Sequence, residues 1–136
     1  MTARGQLGRV HRVRTLQLTL ARAEEARAHA QVTTEQALSD RIAQLAEAVA
    51  PASGSAVTLF AQSHYRERLH RSARTAADRV ARAEAEAARA AEGARAAKRD
   101  QSAVEKLLDR ARRDALRREM RALEDQPAHK KRHDPC

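Results

Sequence analysis

Aromatic and large aliphatic residues are scarce in this chain of 136 residues, which contains one Phe, one Tyr and no Trp. Leu, Ile, Val and Phe together make up about 15% of the residues, whereas an ordinary globular core needs about 20%. A deep packed core is therefore excluded. Sandwiches and barrels are excluded as well, because strands favour β-branched and aromatic residues. Two classes remain, a disordered basic chain or long helices that touch along narrow seams.

Cysteine and long apolar runs are also nearly absent. The one cysteine, Cys136, cannot form an internal disulfide bond. No apolar run reaches about 18 residues, so the sequence predicts no membrane span. We identify no apolar segment followed by a cleavage site near the N-terminus, and we expect a cytoplasmic protein.

The charge is strongly positive, with 27 basic and 18 acidic residues and a net charge of +9. This balance favours an acidic partner surface, nucleic acid or an anionic membrane face. Basic residues crowd both ends of the chain, and their acidic neighbours are interspersed as on an exposed helix. Nucleic acid is disfavoured, because base stacking needs aromatic side chains that the chain lacks.

Helix-breaking residues are concentrated in one internal segment, residues 51–55, with the sequence Pro-Ala-Ser-Gly-Ser. We predict a helix over residues 6–49, a turn over 50–55 and a helix over 56–125, with Ser53 or Ser55 as the cap of the second helix. Residues 127–136 are predicted to be a disordered basic tail. Two helices joined by so short a turn must lie antiparallel. The predicted fold of residues 1–126 is an all-α, antiparallel two-helix coiled-coil hairpin with a longer second helix.

The second helix has a clear heptad pattern. Alternate steps of three and four residues from Leu59 fall on apolar residues at every position from Ala73 to Ala115 except Gln101. A pattern held this long indicates a left-handed coiled coil. The predicted seam is Leu59, Gln62, Arg66, Leu69, Ala73, Ala76, Val80, Ala83, Ala87, Ala90, Ala94, Ala97, Gln101, Val104, Leu108, Ala111 and Ala115. Acid–base pairs four residues apart should support this helix at Glu67–Arg71, Asp78–Arg82, Asp109–Arg113 and Asp114–Arg118.

The first helix has a weaker pattern, which passes through four-plus-four spacing at Thr34, Leu38 and Ile42, a stutter. The predicted seam is Val13, Leu16, Leu20, Ala23, Arg27, Ala30, Thr34, Leu38, Ile42, Leu45 and Val49.

The second helix is predicted to run past its partner. A turn centred near residue 53 places position 6 opposite position 100, so the residues beyond form an overhang. An amphipathic segment without a partner in its own chain usually binds one outside it. The apolar residues of the predicted overhang are Val104, Leu107, Leu108, Ala111, Leu116, Met120 and Leu123.

Catalytic and cofactor motifs are missing, and we expect no enzyme. The sequence has no nucleotide-binding glycine loop, zinc-ligand spacing or catalytic triad, and a two-helix hairpin offers no enclosed pocket. We therefore predict no catalytic, cofactor-binding or metal-binding residues. The tail contains His129, His133 and Cys136, which suit a loose metal site, but a solvated basic tail is the favoured interpretation.

The two aromatic residues lie near the turn, with Phe60 and Tyr65 beside Leu59 and Leu69. This cluster either closes the tip of the hairpin or forms a contact site, since Tyr is favoured at interfaces. Both roles are compatible, because the leucines lie on the seam and the aromatic residues lie beside it.

The chain resembles the FliJ family of flagellar type III export proteins over essentially its whole length. The resemblance rests on small size, a basic hairpin and three stretches of sequence. These are Leu-Gly-Arg-Val-His-Arg-Val-Arg over residues 7–14, Tyr-Arg-Glu-Arg-Leu over 65–69, and Val-Glu-Lys-Leu-Leu-Asp-Arg over 104–110.

The resemblance implies a stalk-like protein without catalysis of its own. Its paired termini would enter the hexameric ring of the flagellar export ATPase, and its far end would approach the membrane export gate and handle export chaperones. Membrane association would be peripheral, at the inner face of the cell membrane and through these partners. The implied gate contacts are Phe60, Tyr65 and Leu69. The implied ATPase contacts are Val104, Leu107, Leu108, Arg112, Arg113, Leu116, Arg117, Met120 and Leu123.

Two other functions are open from the sequence alone. A basic coiled coil that binds nucleic acid would lose affinity steeply with salt. A self-assembling structural protein would dimerise through the overhang.

Overall fold

The computed structural model describes residues 2–48 and 54–128. Helix α1 spans Ala3–Ala48 and helix α2 spans Ala56–Glu124, and the described residues contain no strand. The predicted all-α, antiparallel two-helix hairpin is confirmed, with 46 residues in α1 and 69 in α2. Most of the predicted turn and most of the predicted tail lie outside the described residues.

Short polar contacts define the helix ends. Thr2 caps α1, because its hydroxyl and its carbonyl oxygen both accept hydrogen bonds from the Gly5 backbone N–H. This cap explains why α1 begins at Ala3 and not at residue 6. Ser55 precedes α2, and its carbonyl oxygen accepts the N–H of Leu59 at 3.1 Å. Ser53, the other predicted cap, lies outside the described residues.

The chain forms two compact units, Met1–Thr15 with Arg99–Cys136 and the segment Leu16–Lys98. We call them the terminal unit and the middle unit. Each contains a stretch of α1 packed on a stretch of α2.

The seam of α2 follows the predicted heptads. Every predicted seam position from Leu69 to Ala115 is buried or half-buried, and the most buried side chains are small. Alanine methyl groups allow the two helices to approach closely, but each contributes little buried area. Leu59 and Arg66 were predicted on the seam and are exposed. The buried seam residues of α2 are Ala76, Ala83, Ala87, Ala94 and Leu108.

The predicted seam of α1 is wrong at every described position except Ile42. The buried and half-buried residues repeat by fours and threes without a stutter, and several are polar or charged. An unbroken heptad needs no local unwinding of the supercoil, whereas the stuttered pattern would. The observed seam is Leu7, His11 and Arg14 in the terminal unit. In the middle unit it is Leu18, Ala21, Glu25, Ala28, Val32, Glu35, Ser39, Ile42 and Ala46.

One ion pair in each unit defines which residues lie opposite each other. In the terminal unit Arg14 Nη1 lies 3.2 Å from Asp100 Oδ2, and in the middle unit Arg79 Nη2 lies 3.0 Å from Glu35 Oε1. The residue numbers add to 114 in both pairs. Position 100 is therefore opposite position 14 and not position 6 as predicted, so α1 covers more of the C-terminal part of α2 than expected.

Surface ion pairs along α2 differ from the predicted set. Glu67 and Arg71 form the expected pair at 2.8 Å. Asp109 and Asp114 instead face partners three residues on, at 3.7 Å and 3.8 Å, and no ion pair joins Asp78 to Arg82 in the described part of the chain. Exposed pairs of this kind contribute about 0–1 kcal/mol, so these differences leave the fold unaffected. The partners of Asp109 and Asp114 are Arg112 and Arg117.

Candidate interaction surfaces

Helix α1 covers only the first portion of the C-terminal part of α2. In the terminal unit the observed pairing places Ala3 opposite position 111, and every residue from Leu116 to Ala128 is exposed. Val104 is half-buried and Leu108 is only 8% exposed. These two residues therefore belong to the hairpin seam. They do not lie on a free overhang, because α1 already covers them, and their contact with an export ATPase stays a prediction.

The remaining apolar residues of the predicted strip do not share one face. Leu107 and Leu116 are nine residues apart, which places them on opposite sides of a helix that turns about 100° per residue. Leu116, Met120 and Leu123 repeat by four and three residues and are all exposed. We call these three residues the terminal stripe. Leu107, 47% exposed, lies apart from it.

Arginines border the terminal stripe. Arg112 forms an ion pair with Asp109, and Arg117 forms one with Asp114. About half or more of each of these four side chains is exposed. Arg113 is exposed and makes no ion pair or hydrogen bond with any described residue. Glu119 and Glu124 are also exposed beside the stripe, so it is apolar along its centre with arginines and glutamates along its edges, a pattern that suits a partner with an apolar groove and a charged rim.

The N-terminal part of α2 carries a second exposed group. In the middle unit Ala48, the last described residue of α1, is opposite position 66, so α2 extends past it toward residue 56. Phe60 is 77% exposed and Tyr65 is about half exposed. Both aromatic residues are therefore available to a partner, and the alternative that they close the tip of the hairpin is not what the described residues show.

Leu69 differs from the two aromatic residues with which it was grouped. It lies on the seam, is half-buried and lines a groove with Ala46, Arg66 and His70. Leu69 thus packs the hairpin, and its contact with an export gate stays a prediction.

Two features of these surfaces escaped the sequence analysis. Val57 is 78% exposed and lies three residues before Phe60, on the same face of α2. The spacing of Val57, Phe60 and His64 at three and four residues was the available signal. Lys106 and Arg110 are the second feature: both are exposed, line a shallow surface groove with Arg113 and form no ion pair with described residues.

The described residues contain no cluster of three or more His, Cys, Asp or Glu side chains that could hold a metal ion. His129, His133 and Cys136 lie outside them. Neither described helix has a stretch long and apolar enough to cross a lipid bilayer.

Comparison of the chain with protein-family models, curated proteins and solved structures gives no match. The function proposed below rests on the sequence resemblance and on the two exposed surfaces.

Proposed function

We propose that this chain is a non-enzymatic component of the flagellar type III protein export apparatus, a coiled-coil stalk that engages the export ATPase ring. The sequence resembles the FliJ family, and the hairpin fold is compatible with that role. The proposed ATPase contacts are narrowed to Arg112, Arg113, Leu116, Arg117, Met120 and Leu123.

The terminal stripe is the observation that carries the proposal. It lies beyond the part of α2 that α1 covers, so nothing in the described chain shields Leu116, Met120 or Leu123 from water. Exposed apolar residues at four-and-three spacing form the face that a helix presents to a groove in a partner. The bordering arginines favour orientation and association rate more than affinity.

The exposed aromatic residues of the middle unit support a second contact. We assign Phe60 and Tyr65 to the membrane export gate and its traffic of export chaperones, with membrane association occurring through these partners. Large aromatic side chains contribute strongly to interface energy, and these two are already positioned without rearrangement of α2.

A binding experiment tests the ATPase contact. The chain and a double variant, Leu116→Ser with Met120→Ser, are mixed with the hexameric flagellar export ATPase from the same genome and analysed by sedimentation velocity. Truncating two central interface residues at about 1–1.5 kcal/mol each lowers affinity by about 100-fold. Leu107→Ser is the matched control, because it changes the same residue type on the opposite side of α2.

Three outcomes contradict the proposal. The first is failure of the wild-type chain to bind the hexamer. The second is binding of the double variant with wild-type affinity, and the third is a loss of affinity in the control as large as that in the double variant. Self-assembly would appear as a dimer of the free chain that the double variant dissociates. Nucleic-acid binding would appear as affinity for duplex DNA that falls steeply with salt.

A further inference from the structure

The middle unit buries a carboxylate on its seam. Glu35 is only 6% exposed, and its Oε1 accepts hydrogen bonds from Gln31 Nε2 at 2.8 Å and from Arg79 Nη2 at 3.0 Å. Its second oxygen, Oε2, is buried without a hydrogen-bond partner among the described residues. A buried carboxylate with one unpaired oxygen costs stability in comparison with an apolar residue. Stability alone therefore does not explain Glu35.

Helix α1 has a second apolar face that stays outside. Leu16 and Leu20 are 65% and 66% exposed, and they continue at three-and-four spacing into Ala23 and Ala30. This outer face lies nearly opposite the seam, since each residue turns the helix by about 100°. The two faces have similar apolar content, so hydrophobicity does not decide which of them packs. The packed face contains Leu18, Ala21, Ala28, Val32 and Ile42, and the outer face contains Leu16, Leu20, Ala23, Ala30 and Ala37.

Charge distinguishes the two faces clearly. The packed face carries Glu25 and Glu35, whereas the outer face carries Arg27 and Arg41. Arg79 of α2 reaches the seam and meets Glu35 there. Rotation of α1 by about half a turn would remove that carboxylate and turn Thr34 and Ala37 toward Arg79, so the guanidinium would lose its anionic partner at the seam.

We propose that Glu35, through Arg79, selects which of the two apolar faces of α1 packs on α2, and thereby holds Leu16 and Leu20 on the outside. A buried polar residue that specifies the register of a coiled coil at a cost in stability is the best-attested role for such groups. This inference is independent of the export function, because it concerns only the middle unit.

Chemical crosslinking reports directly on which face packs. In a Cys136→Ser background, Ala28→Cys with Ala83→Cys joins two residues that line one groove of the observed seam. Ala30→Cys with Ala83→Cys joins positions that meet only when α1 has turned its outer face inward. With a short bismaleimide, the chain with Glu35 intact should give the 28–83 product and almost none of the 30–83 product.

Charge reversal is expected to exchange the products. Glu35→Arg should raise the 30–83 yield at least about threefold and lower the 28–83 yield, and adding Arg79→Glu should restore the original ratio. Glu47→Arg, the same change at an exposed position of α1, should leave both yields unchanged. Glu35→Ala, which leaves neither attraction nor repulsion, should give both products.

Two results would overturn the proposal. The first is a 28–83 product alone in Glu35→Ala and Glu35→Arg, which would show that the face is selected without Glu35. The second is loss of both products together with the helical circular dichroism signal, which would assign Glu35 to stability only.

Discussion

Two leucines that are two residues apart on α1 should lose very different amounts of stability when each is truncated to alanine. Leu18 is 6% exposed on the seam of the middle unit, and Leu20 is 66% exposed on the outer face of the same unit. Truncation of a buried leucine to alanine costs about 2–5 kcal/mol of unfolding free energy. In a two-helix seam the helices can move together and fill the cavity, so the cost should lie at the low end of this range. We expect Leu18→Ala to cost about 2–3 kcal/mol, and Leu20→Ala to cost about 0.5 kcal/mol or less, as for other surface changes.

Thermal unfolding followed by circular dichroism at 222 nm measures both variants. For a chain of this size each kcal/mol lowers Tm by about 3–5 °C, so Leu18→Ala should lower it by about 6–15 °C and Leu20→Ala by no more than about 2.5 °C. The reasoning is refuted if the two variants unfold at the same temperature. A larger decrease in Tm for Leu20→Ala than for Leu18→Ala would indicate that the stuttered seam, which the sequence pattern favours, is the one that packs.

Three further changes test other parts of the fold. In the terminal unit, Leu108→Ala should lower Tm by several degrees more than Leu107→Ala, because only Leu108 is buried. Equal decreases in Tm would indicate that Leu108 is exposed on the overhang and not packed on the seam. Gly93→Ala should raise Tm, because its added methyl group meets open space and alanine favours helix by about 0.5–1 kcal/mol; a lower Tm contradicts this. The Arg71 guanidinium hydrogen bond and charge hold the pKa of Glu67 below its usual value. The stabilisation by this pair is therefore present at neutral pH and is lost as pH falls through the folded-state pKa. An NMR titration of Arg71→Ala should show the Glu67 pKa rising, and an unchanged value would exclude the pair as its cause.

The sequence pattern predicts α2 better than α1 for a physical reason. Along α2 nearly every seam position is occupied by Ala, Val or Leu, so apolar periodicity and packing coincide. Along α1 the seam includes Arg14, Glu25 and Glu35, whose contribution depends on partners in α2 that are distant in sequence. A search for apolar repeats therefore selects the face with Leu16 and Leu20, which is the one left in solvent.

The candidate surfaces were predictable to the extent that they depend on local composition. Phe60, Tyr65 and the stripe around Met120 stand out because large side chains are rare in this chain. The limits of the overhang were not predictable, because they depend on the pairing of Arg14 with Asp100, which a turn-centred alignment misplaces by several residues. The grouping of Leu107 with Leu116 failed for a simpler reason, since residues nine apart lie on opposite sides of a helix.

The ATP hydrolysis rate of the flagellar export ATPase from the same genome, measured with and without this chain, tests the proposed function most directly. We expect the wild-type chain and Leu107→Ser to raise the rate at equal protein concentration. The double variant with Leu116→Ser and Met120→Ser should leave the rate at its basal value while retaining its helical signal. A basal rate with the wild-type chain, or equal stimulation by the double variant, would contradict the stalk assignment.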